Sequence, residues 1–220
     1  MRSSIKENKV YIIIAFFILI VIILAVILSN NLEKPAQIPS KILEQNGWTE
    51  DIFERDIKNE LLSDYCSYTY KNNNLSYPAY VTVTSRKTLF MMSEDGLIDE
   101  TNTLIKEQSK QGLIIDESTK ITGKRVILNG EHETKYVIYN GTDNSSGYVE
   151  NIKIIGETWN CGVSGSSIIC IGVAQITDYL HDKPGIVLDH WKKIVKDKEG
   201  TFGIDKYMGN NGLLFNVECH

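Results

Sequence analysis

The chain has 220 residues, 42% of them apolar, and a formal net charge of −5. That length accommodates a short apolar N-terminal segment and one ordinary domain with its own core. The first 28 residues hold Arg2, Lys6 and Lys9 against Glu7, so the remainder carries −7, and an acidic domain repels phosphate backbones and anionic lipid heads, which sets nucleic acid aside as a partner.

Val10 to Leu28 (VYIIIAFFILIVIILAVIL) contains no charge, Gly, Pro or amide. A helix of that length spans roughly 28 Å, close to the hydrocarbon thickness of a bilayer. The sequence therefore predicts a transmembrane anchor through which the chain partners the lipid bilayer. Basic residues precede the run, whereas Glu33, Lys34, Lys41 and Glu44 balance after it. The positive-inside rule puts the N-terminus in the cytoplasm and the C-terminal domain outside the cell membrane. A cleaved signal peptide would carry a shorter apolar run and a small-x-small site, where this chain has Ile27-Leu28-Ser29. The expected organisation is a tail over 1–9, an anchor over 10–28, a linker over 29–48 interrupted by Pro35 and Pro39, and an extracytoplasmic α+β domain over 49–220.

Within that domain, Thr49 reads as a helix N-cap, with Phe53, Ile57, Leu61 and Tyr65 following at spacing four on one helical face. Cys66 to Tyr70 and Tyr80 to Thr84 read as strands around the turn cluster at Lys71–Asn74, and Leu89 to Met92 as a further strand or a loop. A second helix is expected near Asp99, closed by Gly112. Next come a strand at Leu113–Ile115, a bend at Gly123 and a hairpin at Asn129-Gly130 whose arms are Arg125–Leu128 and His132–Tyr139. Tyr148–Trp159 and Ser167–Thr177 form another antiparallel pair. A third helix carries Val187, Trp191, Ile194 and Val195 inward, and Leu213 to Val217 reads as a last strand. Short turns between neighbouring strands require antiparallel pairing. The sum is an N-terminal transmembrane helix followed by an antiparallel sheet of five to seven strands with about three packed helices. From Tyr65 to Gly200 this order of elements, with the bend at Ile121-Thr122-Gly123-Lys124 and the late helix at Trp191, resembles the PsbP-like sandwich.

Four cysteines, Cys66, Cys161, Cys170 and Cys219, in an oxidising compartment point to two disulfides. A two-residue turn at Gly165-Ser166 would set Cys161 opposite Cys170, leaving Cys66 for Cys219. Asn74, Asn140 and Asn144 open N-glycosylation sequons in expected turns.

The run Gly162-Val163-Ser164-Gly165-Ser166 before Cys170 looks like the nucleophile loop of trypsin-like serine proteases, which also needs a His base and an Asp orienter. His132, flanked by Glu131 and Glu133, is the only upstream histidine, and a hairpin turn explains the same letters. Cys219-His220 offers copper or zinc two donors, with Met208 or another His assisting. Vicinal residues diverge on a strand, and His132, His181 and His190 show no ligand spacing. His181-Asp182 and Asp189-His190 pair carboxylate with imidazole, but read as helix starts. Tyr65, Tyr68, Tyr70, Tyr77 and Tyr80 crowd one region as either sheet residues or a binding patch. No catalytic, cofactor or metal set is assigned from these residues. The chain reads as a membrane-anchored extracytoplasmic domain binding a protein or small ligand. Its alternatives are a hydrolase using Ser164 or a metal-binding domain.

Overall fold

The computed structural model describes residues 14–23, 34–60, 63–72, 78–108, 112–128, 131–145, 147–177, 187–197, 200–202 and 212–220. They form an α+β fold with one eight-stranded antiparallel sheet and four α-helices. The strands are β1 (Trp48–Glu50), β2 (Asp56–Glu60), β3 (Ser63–Asn72), β4 (Ala79–Thr88), β5 (Leu113–Ile127), β6 (His132–Asp143), β7 (Glu150–Cys161) and β8 (Ser166–Gln175). Their order is β1-β3-β4-β8-β7-β6-β5, and β2 pairs with β3 beyond the end of β1. The helices are α1 (residues 14–23), α2 (Ser40–Asn46), α3 (Glu94–Gln108) and α4 (Asp189–Val195).

Helix α1 is exposed throughout its ten described residues, and no described helix is long and apolar enough to cross a membrane. The remainder of the expected Val10–Leu28 span lies outside the described residues, as do Asn74, Tyr77, Asn129, Gly130, His181, Asp182 and Met208.

Both faces of the sheet are covered, which is why β8 is buried at every position. One face packs α3 through Leu97 and Ile105 onto Val137, Tyr139, Ile152, Ile154, Ile169, Ile171 and Val173. Leu97, Thr101 and Ile105 recur every fourth residue, and Gly156 lies beneath Thr101, where a Cβ would collide with its methyl group. The opposite face packs α2, α4 and the C-terminal segment onto Val81, Val83, Ile155, Trp159, Ile168 and Cys170.

Several expectations change. Thr49 to Tyr65 is not a helix: Trp48–Glu50 and Asp56–Glu60 are strands flanking a single 3-10 turn at Ile52–Glu54, and Phe53 is 92% exposed. Spacing four is a multiple of two, so it marks one face of a strand as well as of a helix. The linker ends early, since Ala36, Ile38 and Leu43 are in the core and α2 is capped by Gly47 at φ 71°. The break in β5 is not at Gly123, which pairs regularly with Tyr136; three extra residues are accommodated between Asp116 and Ile121. There the Asp116 carboxylate and carbonyl accept from Ser118 and Thr119. Leu214–Asn216 is a 3-10 turn rather than a strand, after which Glu218 pairs antiparallel with Gln37. Leu89 to Met92 is a loop. Asn140 stands inside β6 with its Oδ1 accepting from Lys153, whereas Asn144 is in a turn region. The tyrosines divide between the two sheet faces and Tyr70 is buried, so they form no common exposed patch.

Candidate metal centre

The β7–β8 register decides the cysteine chemistry. Cys161 stands opposite Ser166, and Cys170 opposite Glu157. The turn holds Gly162 to Gly165, with Gly165 N donating to Cys161 O at 2.8 Å and Gly165 at φ 65°. The turn is centred between Val163 and Ser164 rather than between Gly165 and Ser166, and that shift of two residues leaves Cys170 four positions beyond Ser166, the residue that faces Cys161, so the expected Cys161–Cys170 bridge is not formed. The Cys66–Cys219 pairing fails with it: Cys66 lies in the middle of β3 opposite Ile57 and Ser85. All four cysteines are free and buried. Burial raises the pKa values of the Cys66 and Cys170 thiols, so both stay neutral packing groups.

Cys161 and Cys219 meet at one end of the sheet, together with His132 and His220. The four donor atoms lie within 4.8 Å of one another. Cys219 Sγ is 3.3 Å from His132 Nε2 and 3.6 Å from His220 Nδ1, and Cys161 Sγ is 3.6 Å from His220 Nδ1. A tetrahedral zinc with bonds of about 2.3 Å to sulfur and about 2.0–2.1 Å to nitrogen has sulfur–nitrogen edges of roughly 3.5 Å. The observed separations match those edges.

Three devices deliver the four donors. His132 opens β6, directly after a turn in which Glu131 N bonds Leu128 O and Leu128 adopts φ 50°. Cys161 ends β7. Cys219 and His220 follow the Gln37–Glu218 bridge, whose reciprocal N–H to carbonyl bonds are both 2.9 Å. At that place the chain is not a regular strand, so the vicinal side chains converge, with Nδ1, the ring nitrogen nearer the backbone, beside the preceding sulfur.

The electrostatics favour a bound cation. The Cys219 thiol donates to Cys161, which lowers the Cys161 pKa and raises that of Cys219. The hydroxyl and amide of Ser164 also favour the Cys161 thiolate. Trp159 Nε1–H is buried without a hydrogen-bond partner and lies near enough to Cys219 to favour its ionised form. A thiolate at Cys219 would supply that donor with an acceptor. On the outer side, Glu131 Oε2 is 3.7 Å from His220 Nε2, the carboxylate–histidine arrangement that orients a ligating imidazole. Leu128, Glu131, Glu218, Cys219 and His220 line an open cleft there, so a metal has an entry path.

Ser164 lies in the β7–β8 turn, as the hairpin reading of these letters expected. Its Oγ is 2.6 Å from Ser166 Oγ, and His132, the imidazole it would need, is turned to Cys219. His190 is buried under α4 against Trp48, away from the cluster. Cys219-His220 was visible as a donor pair in the sequence; Cys161 and His132 were not, because the sheet alone brings them together. No family model matches this chain, and neither curated proteins nor solved structures yielded a match.

Proposed function

We propose that this protein is a membrane-anchored, extracytoplasmic metal-binding domain in which His132, Cys161, Cys219 and His220 hold one zinc ion. The observation that carries the reading is the convergence of four ligand atoms within 4.8 Å from three separate places in the chain. Two sulfurs and two imidazole nitrogens this close together suit tetrahedral zinc, and four protein ligands would leave no position for a reacting water. The metal therefore has a structural role: it fastens the last two residues to the β5–β6 turn and the end of β7. Binding energy at such a site is folding energy. Thiols bound to metal are also shielded from the oxidation that an extracytoplasmic compartment favours.

The test is metal analysis of the purified full chain in detergent, beside thiol titration under denaturing conditions. One zinc per chain and four titratable thiols are expected, and Cys161→Ser or His132→Ala should lower the zinc content sharply. Cobalt substitution should give the sulfur-to-metal charge-transfer bands of a thiolate site. Absence of stoichiometric metal together with a disulfide joining Cys161 to Cys219 would overturn the reading.

A further inference from the structure

The sheet end that carries the metal ligands also carries exposed apolar side chains. The connector between β4 and α3 presents Leu89, Phe90 and Met91 at 42%, 85% and 46% exposure, and the β7–β8 turn presents Val163 at 75%. The two segments are neighbours. Met92 N donates to Ser167 Oγ at 3.1 Å, and Asn160 Nδ2 donates to Met92 O at 2.8 Å. Apolar side chains grouped at one tip mark a contact surface.

The path of the chain says what that surface meets. The antiparallel Gln37–Glu218 bridge directs Ala36 and Pro35 back toward Cys219 and His220. Ala36 N donates to Ser85 Oγ, and Ser85 pairs with Cys66 and Ile168 in the layers that lead to Thr88 and the apolar connector. The described chain thus enters the domain at this same end. Five residues separate Leu28, the last of the apolar run, from Lys34, and those six residue steps span at most about 20 Å. A bilayer holding Val10–Leu28 cannot be farther than that from the entry point.

We propose that this end of the domain rests on the bilayer, with Phe90 and Val163 inserted among the lipid headgroups and the metal centre facing the membrane. The proposal rests on the anchor reading and is independent of the metal. Aromatic and aliphatic side chains at that depth follow the usual chemistry of membrane interfaces. Lys87, whose Cε lies 4.0 Å from where a Gly165 Cβ would stand, shares this end with Glu131 and Glu218. With both signs present, the contact needs zwitterionic lipid and no anionic excess.

The test uses the full chain reconstituted in phosphatidylcholine vesicles, with tryptophan introduced by Phe90→Trp, Val163→Trp or Val149→Trp. Val149 is 58% exposed and precedes the start of β7, whose 12 residues put it roughly 40 Å from Val163. Brominated lipid should quench the added emission of Phe90→Trp and Val163→Trp at least twofold relative to the native background, and leave Val149→Trp unchanged. No quenching at Phe90 and Val163, or quenching at Val149, overturns the proposal. Flotation of the same vesicles separates the two readings. A chain that floats with unquenched Phe90→Trp defeats the resting tip alone, and a chain that does not float defeats the anchor as well.

Discussion

His190 sits in the first turn of α4 at 7% exposure, edge-on to Trp48 with the ring centroids 6.2 Å apart. Burial lowers its pKa, the Lys193 charge pushes the same way, and Asp189 opposes them. The unfolded imidazole titrates near about pH 6.5, so the native state resists a proton that the unfolded chain accepts. Stability from this residue is therefore complete above that pH and lost as pH falls toward the lower folded value. In His190→Gln that loss disappears. Thermal unfolding of both proteins should show the native protein's advantage shrinking between about pH 7.5 and about pH 5. An advantage independent of pH would sink the assignment. The metal ligands cancel in this comparison because both proteins carry them. At the same scale, the site was only half legible beforehand. Cys219 and His220 are adjacent letters, whereas His132 and Cys161 have no local spacing to each other or to that pair, and only strand register joins them. A shift of two residues in the centre of one turn decides whether Cys161 faces Cys170 or Ser166.

Helix α4 has seven residues, too few to hold itself in water, so the sheet must hold it. Gly172 of β8 allows the approach: a Cβ there would stand 2.7 Å from Ile194 Cγ2. A buried ion network fixes the end of the helix. Arg125 Nε and Nη2 donate to the two Glu157 oxygens at 2.7 and 2.5 Å, Nη1 donates to Val195 O at 2.6 Å, and Asp197 lies 3.4 Å away. Thr134 Oγ1 donates to Glu157 as well. Arg125 and Glu157 side chains are 2% and 0% exposed, so removing one charge strands the other. Glu157→Gln should cost about 3 kcal/mol, the low end for a broken buried pair because Asp197 remains. In a chain of this length that lowers Tm by about 10 °C. A loss below about 1 kcal/mol in denaturant titration would show that the network is not an energetic anchor. Elements of this kind divided the sequence reading. The strands flanking the last hairpin and helices α3 and α4 were legible because apolar runs and glycine punctuation agreed. The region Thr49–Tyr65 was not, because apolar residues four apart satisfy both periodicities and only pairing with β3 settles the matter.

On the scale of the molecule, the two ends of the described domain are one structure. Ala36, Ile38, Val217 and Cys219 are buried side by side, the exposed Gln37 and Glu218 between them are joined by reciprocal bonds, and Cys219 and His220 are two of the proposed metal ligands. On the proposed anchor and metal, the segment leading from the bilayer pairs with the segment that the metal would fasten. Without metal, Cys219 and His220 keep their packing but lose the bonds that tie them to His132 and Cys161. The bridge at Gln37 then depends on the buried Ala36, Ile38 and Val217 alone. Isolated bridges open more readily than the centre of a sheet, because little buried contact opposes them. Removing zinc with a chelator should therefore speed amide hydrogen exchange at Gln37 and Glu218 by at least tenfold, while Val83 and Cys170 in the central strands keep their rates. The same acceleration is expected in Cys219→Ser with zinc present. Unchanged exchange at Gln37 would mean that apolar packing alone holds the membrane-side connection. A uniform acceleration across β4 and β8 would mean that the metal stabilises the whole fold rather than this junction.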